Sequence, residues 1–162
     1  MSRGDPASVR YWLFKTEPAA FSITDLRNRR AQTEHWDGVR NFQARNFMRD
    51  EMQAGDLDFF YHSSCADPAI VGIVEIVGPG YPDFTAFDPN DSHYDPKSTP
   101  QRPLWYMVDV RLKRKFRKPV TLRELKAQPA LSGMRLLSRG NRLSVMPVEQ
   151  REWEYILRLE DS

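Results

Sequence analysis

The sequence predicts an α+β fold in which helices surround a small, mostly antiparallel β-sheet or β-barrel. The predicted elements run strand, helix, helix, strand, strand, long loop, strand, helix, strand, helix. Strands and helices therefore do not alternate as a doubly wound parallel sheet requires. The 162 residues also suit one domain, with enough chain to bury a core without disulfides or a structural metal. We expect a flexible lead-in at residues 1–9 and a single domain at residues 10–162.

Apolar and aromatic patterning identifies the elements of the first half. The first strand is aromatic and ends before Pro18, because proline cannot continue a central ladder. A capping signal at Ser22 starts the first helix. The third strand is rich in β-branched residues and should lie in the middle of the sheet. The predicted strands are residues 11–15, 57–63 and 69–77, and the predicted helices are residues 22–29 and 41–52.

The second half begins with an unusual segment. Residues 78–103 show no periodicity and are rich in proline and aspartate. Such a long loop inside a small domain is often functional. Strict alternation of apolar and polar residues then predicts a strand with one solvent-exposed face. A T-x-x-E capping box after it predicts a helix. The remaining predicted elements are strands over residues 104–116 and 142–146, a helix from residue 121, and a helix that Pro147 opens and that ends near Leu159.

Composition excludes several classes of protein. Hydrophobic residues make up 40% of the chain, which argues against wholesale disorder. The longest apolar run, residues 69–77, contains Glu75 and cannot span a bilayer. Residues 1–10 lack the apolar region of a secretory signal, and Cys65 is the single cysteine. We therefore expect a cytoplasmic protein, or a nuclear one in a eukaryote, without a membrane partner.

Signals for catalysis or metal binding are weak. His62 and Cys65 have a spacing that suits a metal, but no second pair completes a tetrahedral site. Cys65 lacks a nucleophile signature, and no G-x-S-x-G elbow or phosphate-binding P-loop is present. We expect no metal, no cofactor and no enzymatic activity. Two alternatives stay open, namely a nucleotide-modifying enzyme that uses His62 with Glu17 or Asp109, and a small-molecule sensor.

A tryptophan beside a turn is the first binding signal. Trp36 precedes the Asp37-Gly38 turn and is followed by Arg40 and Asn41. An aromatic face with polar groups at its edge is the combination that recognises flat heteroaromatic rings. Alternatively, Trp36 packs as a hydrophobic staple under the next helix, with Arg40 and Asn41 solvated. The residues alone do not decide between these two interpretations.

Two further clusters fit nucleic-acid binding. Residues 60–63 alternate aromatic and polar side chains, so one set can pack the core while the other lines a pocket. Residues 111–118 carry six basic side chains and no acid, and phosphates are natural partners for such a run. The net charge of +2 favours binding to nucleic acid only weakly. Alternatively, residues 60–63 form a strand with one solvent-exposed face, and residues 111–118 form a solvated edge of the sheet.

Taken together, these segments resemble the EVE domain family, which belongs to the PUA-like group. The resemblance extends in family order from about residue 10 to residue 159, and it is the ordered set that is specific. The segments that carry it are YWLFKTEP at 11–18, WDGVRN at 36–41, ARN at 44–46, GD at 55–56, FYHS at 60–63, IVGI at 70–73, YPD at 81–83, PLW at 103–105 and RLSVMPV at 142–148.

The resemblance implies a PUA-like β-barrel with peripheral helices and a non-enzymatic module that recognises a flipped, modified base in DNA or RNA. Neither the modification nor the choice of nucleic acid follows from it. By motif position, it assigns a base pocket to Lys15, Thr16, Glu17, Trp36, Asn41, Tyr61, His62, Ser63, Leu143, Ser144 and Val145. We expect the phosphate backbone to lie along Arg40, Arg45, Arg111, Lys113, Arg114 and Lys115.

Overall fold

A computed structural model describes residues 8–162, so residues 1–7 of the predicted lead-in lie outside the described part. The main sheet has six strands in the order β2-β7-β4-β3-β1-β8, and β5 pairs with β6. The strands are β1 Tyr11–Thr16, β2 Thr33–His35, β3 Leu57–His62, β4 Ala69–Ile76, β5 Tyr81–Pro82, β6 Tyr106–Met107, β7 Asp109–Thr121 and β8 Val145–Val148. The α-helices are α1 Ile23–Arg27, α2 Phe42–Asn46, α3 Leu122–Lys126 and α4 Gln150–Asp161, and α2 continues as a π-helical turn at Phe47–Glu51.

The pairing of the strands confirms a mostly antiparallel sheet. Strands β1 and β3 are parallel, whereas β1 with β8, β2 with β7, β3 with β4 and β4 with β7 are antiparallel. The β-branched strand β4 lies between β3 and β7, as predicted for a strand that is buried on both faces. Helix α4 covers the sheet through Trp153, whose ring stacks on Phe59 at a centroid distance of 3.8 Å.

Both predicted capping boxes are confirmed. The side chain of Ser22 accepts a hydrogen bond from the Asp25 main chain, and the carboxylate of Asp25 accepts one from the main chain of Ser22. Thr121 and Glu124 make the same reciprocal pair at the start of α3. These short polar patterns satisfy the unpaired N–H groups of a first helical turn, which is why they can be read from sequence.

The second half of the chain departs from the prediction in two places. The strand predicted at residues 104–116 is interrupted after the short β6, and β7 continues to Thr121. Pro147 does not open the last helix but lies within β8, opposite Trp12. Strand β8 is at the edge of the sheet, where a residue without an N–H is tolerated. Helix α4 starts instead from a capping box of Glu149 and Glu152.

A buried carboxyl group in β3 leads to a prediction about stability. Asp58 is 0% exposed, and burial raises the pKa of its carboxyl group well above the ordinary value. The unfolded chain releases this proton from about pH 4 upward, whereas the folded protein keeps it. The contribution of Asp58 to the free energy of unfolding is therefore complete below about pH 4 and is lost as the pH rises toward the raised pKa.

Asp58→Asn should remove this pH dependence, because the amide stays neutral in both states. Relative to the wild type, the variant should gain stability steadily from about pH 4 upward, until the pH passes the raised pKa of Asp58. Urea unfolding at several pH values measures the free energy of unfolding of both proteins. The difference between the two proteins cancels the effect of all other titrating groups. Two unfolding curves that keep a constant offset across this range would contradict the prediction.

Candidate functional site

A cavity of about 560 Å³ opens where the carboxyl end of β1, the segment after β3, the loop after β2 and the segment before β8 meet. Its volume is in the range of ordinary small-molecule sites. The main-chain N–H of Lys15 donates to the Ser144 carbonyl at 2.8 Å, and that of Ser63 donates to the Thr16 carbonyl at 2.9 Å. The lining residues are Lys15, Thr16, Glu17, Ala20, Phe21, Arg29, Glu34, His35, Trp36, Asp37, Gly38, Val39, Ser63, Ser64, His93, Arg142, Leu143 and Ser144.

Trp36 forms part of the cavity wall and of the core at once. Its side chain is buried, with 8% exposed. Its ring contacts Phe14 at 5.1 Å, Phe60 at 5.5 Å and Phe21 at 6.2 Å between centroids. These partners belong to β1, β3 and the segment before α1, so the indole packs against the sheet and also lines the cavity. The cavity therefore has an aromatic wall that core packing holds in place.

The structure brings most of the predicted pocket residues together at this cavity. Strands β1 and β3 are parallel neighbours, so their carboxyl ends reach the same edge of the sheet. The segment before β8 joins that edge through the pairing of β8 with β1. The predicted residues that line the cavity are Lys15, Thr16, Glu17, Trp36, Ser63, Leu143 and Ser144.

Several polar groups in the cavity have no protein partner within residues 8–162. The Lys15 ammonium makes no ion pair there, and burial lowers its pKa. The hydroxyl groups of Ser63 and Ser144 likewise have no side-chain hydrogen bond in the described part of the chain. Thr16 differs, because its hydroxyl donates to the Phe21 carbonyl at 3.0 Å. Lys15, Ser63 and Ser144 are therefore available to a ligand.

Four predicted pocket residues are not brought to the cavity, for local reasons. Asn41 caps α2, with its side-chain oxygen accepting a main-chain hydrogen bond. His62 accepts a hydrogen bond from the main chain of Ile23 at 3.2 Å, and burial, aided by the charge of a nearby lysine, lowers its pKa. Tyr61 is 3% exposed, and burial raises its pKa to about 12. Val145 is entirely buried in the core.

Asp83 belongs to the YPD segment of the resemblance but was not assigned to the pocket, and it organises one wall of the cavity from the long loop. Its buried carboxylate accepts hydrogen bonds from the main chain of Gly38 at 2.8 Å and from Arg40 at 3.0 Å. It also accepts from the main chain and hydroxyl of Thr85. Burial favours a higher pKa for Asp83, but these hydrogen bonds and the Arg40 charge outweigh it, so its pKa is below the ordinary value.

Glycine at position 38 lets the long loop approach the cavity. Gly38 has a φ of +81°, and a β-carbon there would lie 2.5 Å from the ring of His93. His93 in turn lines the cavity, and its carbonyl accepts a hydrogen bond from Arg40 at 2.7 Å. Only glycine fits both the conformation and the space. The length of the loop was the signal that it contributes to a site, but it did not identify these residues.

Most of the predicted phosphate contacts are engaged within the protein. Arg40 binds Asp83, Arg45 donates to the carbonyl of Leu104 at 2.8 Å, and Arg111 pairs with Glu75 at 2.6 Å. The guanidinium of Arg114 makes two hydrogen bonds to Glu160. In the described residues, Lys113 and Lys115 of β7 are exposed and have no ion pair. A phosphate role for this set stays a prediction.

Neither a metal-binding group nor a membrane-spanning helix is found in the described part of the chain. Across residues 8–162, no three His, Cys, Asp or Glu side chains come close enough to hold a metal ion. The same residues form no helix with the length and apolar character needed to cross a membrane.

Comparison with known proteins identifies the family. The family model described as the EVE domain matches residues 10–159, nearly the whole chain. The chain belongs to the EVE domain family. As a member of this family it is 46% identical over 169 residues to rat thymocyte nuclear protein 1, with 94% of this chain and 74% of that protein covered.

Solved structures agree with the assignment of this EVE domain. The human THYN1 protein in complex with 5-methylcytosine containing DNA has 42% identity and a TM-score of 0.89, covering 94% of this chain and 98% of that one. The YTH domain of the Zygosaccharomyces rouxii MRB1 protein shares the fold, with a TM-score of 0.54 at 15% identity over 96% of this chain and 88% of that one. The PUA-like α+β fold is confirmed.

Proposed function

We propose that this EVE domain binds DNA without catalysing a reaction and holds one flipped, modified base in the cavity. The observation that carries the proposal is the structural likeness to the human THYN1 protein, whose complex contains 5-methylcytosine DNA. The likeness covers 94% of this chain. We take 5-methylcytosine as the first candidate base for this reason.

The chemistry of the cavity supports a planar, polar ligand. Phe21 and Trp36 provide aromatic surface, and a flipped base needs a flat apolar contact to replace the stacking it loses in the duplex. Lys15 offers a cationic donor with no protein partner in the described residues, and it can reach a carbonyl oxygen of a base. The hydroxyl groups of Ser63 and Ser144 can donate or accept at the edge of the ring.

The arrangement of possible catalytic groups supports a binding role over the enzyme alternative. His62 is occupied by the main chain of Ile23, and Asp109 accepts a hydrogen bond from Tyr81 at 2.5 Å. Cys65 contacts the carbonyl of His62 at 3.8 Å and no imidazole nitrogen within residues 8–162. An activated nucleophile needs a base within hydrogen-bond reach. The lining serines have no such partner in that part of the chain.

One of these relatives bears on the expected location of the protein in the cell. The rat relative is named a nuclear protein, which supports the expectation of a nuclear location if the source is a eukaryote. The expectation of a cytoplasmic location otherwise stays a prediction.

Filling the cavity tests the proposal directly. Ser144 is partly exposed in the cavity wall, and its main-chain bond to Lys15 does not depend on its side chain. Ser144→Trp should occupy the space of the base and abolish the preference for 5-methylcytosine DNA over unmodified DNA. Affinity for unmodified DNA should remain, because phosphate contacts supply most sequence-independent binding. Fluorescence anisotropy with matched duplexes measures both affinities.

The matched control is Ser132→Trp, since Ser132 is exposed and lines no part of the cavity. This variant should keep the preference of the wild type. The proposal fails if the wild type binds methylated and unmodified duplexes equally, or if Ser144→Trp retains the preference while folded.

A further inference from the structure

A second groove adjoins the cavity and has a different charge. It measures about 370 Å³ and lies between the start of α2 and the segment before β8. It shares Arg142 and Leu143 with the cavity, so the two openings adjoin each other at this segment. The other residues that line it are Asn41, Gln43, Arg135, Ser138, Arg139, Gly140 and Asn141.

The charges of the two sites are complementary to different parts of a nucleotide. The groove contains three arginines and no acidic residue among its lining residues. The cavity contains Glu17, Glu34 and Asp37 beside its basic residues, which disfavours a phosphate there. A phosphodiester backbone would therefore be repelled at parts of the cavity and attracted along the groove.

The arginines of the groove are also free to bind. Arg139 and Arg142 are exposed and make no hydrogen bond or ion pair with another described residue. Arg135 is exposed and its guanidinium lies over the ring of Phe47 at 5.8 Å, a contact that leaves its N–H groups available. By contrast, Arg111 and Arg114 of β7 are already paired with acids.

We infer that the groove defined by Arg135, Arg139 and Arg142 binds the backbone phosphates that flank the flipped nucleotide. A flipped base remains attached to its strand, so the flanking phosphates must lie next to the mouth of the cavity. The groove begins there. Asn41 and Ser138 add polar side chains along the same surface, and phosphate contacts of this kind fix orientation without reading sequence. This inference rests on the proposed function and replaces the basic run of β7 as the expected phosphate contact.

The test removes charge from the part of the groove that does not line the cavity. In Arg135→Gln/Arg139→Gln, the slope of log affinity against log salt should become shallower by about 0.9 for each phosphate that the protein no longer neutralises. Affinity should fall by the same factor for 5-methylcytosine and unmodified duplexes, so the ratio between them stays that of the wild type. Arg135→Lys/Arg139→Lys retains both charges and should retain the slope.

The β7 control is Lys113→Gln/Lys115→Gln, which tests the competing prediction by removing the two exposed, unpaired charges of that strand. If the groove binds the phosphates in place of β7, this variant keeps the slope of the wild type. The inference is overturned if the groove variant keeps the slope of the wild type, or if the β7 control has the shallower slope instead. It is also overturned if the groove variant weakens binding of the methylated duplex alone, since the groove would then read the base.

Ser144→Trp separates this result from a failure of the proposed function. That variant should lose the preference for the methylated duplex and keep the salt slope, which is the reverse of the groove variant. If the wild type shows no preference for the methylated duplex, the proposed function fails. The salt slopes of the groove variant and the β7 control still decide whether the groove binds phosphate.

Discussion

Trp36→Ala is expected to abolish the preference for modified DNA and to destabilise the domain. Loss of an aromatic surface beneath a base costs about 1–3 kcal/mol of binding free energy. Because Trp36 also packs against Phe14, Phe21 and Phe60, the truncation should lower the free energy of unfolding by about 3–5 kcal/mol. Anisotropy titrations, made at a temperature where circular dichroism shows the variant folded, measure the first effect, and urea unfolding measures the second.

Two control variants separate these effects. Trp153→Ala removes another buried indole, which stacks on Phe59 and lines no part of the cavity. It should lose similar stability but keep the preference for modified DNA. Trp36→Phe retains an aromatic wall and should keep part of the preference. Equal losses of preference in Trp36→Ala and Trp153→Ala would show that instability, not the cavity wall, is responsible.

Asp83→Asn is expected to destabilise the domain by about 3 kcal/mol at neutral pH. The amide removes the charge opposite Arg40, which is itself partly buried, and it cannot accept all the hydrogen bonds that Gly38, Arg40 and Thr85 donate. Since the pKa of Asp83 is below the ordinary value, its contribution is complete above about pH 4 and is lost as the pH falls through the lowered pKa. Urea unfolding at pH 7 and in acid should therefore show the two proteins converging as the pH falls.

Asp88→Asn is the control, because Asp88 is an exposed carboxylate in the same loop that accepts a hydrogen bond from the main chain of Asn90. Its effect should be within about 0.5 kcal/mol. A double-mutant cycle with Arg40→Gln measures the coupling between Asp83 and Arg40. If Asp83→Asn is as mild as the control, then the carboxylate does not hold the loop against the cavity.

Local sequence patterns predict an element well where residues of the same segment determine its structure. The capping boxes at Ser22 and Thr121 depend on residues three positions apart, and the burial of β4 follows from its composition. Strand β2 is only three residues long and offers no pattern to detect. The position of Pro147 could not be predicted, because its place in an edge strand depends on β1, which lies far away in sequence.

Most of the candidate site was predictable only through the resemblance to the EVE domain family, which assigned Lys15 and Ser63 to the pocket. The structure supplies the reason that these two residues meet, since they lie at the ends of the parallel strands β1 and β3. Trp36 was also indicated by the residues themselves, through its position before a turn. The role of Asp83 could not be predicted, because Gly38 and Arg40, which donate hydrogen bonds to its carboxylate, lie in a different loop. The groove arginines lie in an irregular segment, 135–142, where spacing carries no structural signal.

The hydrogen bond between the main chains of Lys15 and Ser144 joins segments from near the two ends of the described chain. The cavity therefore does not exist until the first and last strands of the sheet have met, late in any order of assembly that starts from local contacts. Occupancy of the cavity is in consequence thermodynamically linked to the folding of the whole domain. A nascent or truncated chain that lacks its last strand has no support for the Leu143–Ser144 wall of the cavity.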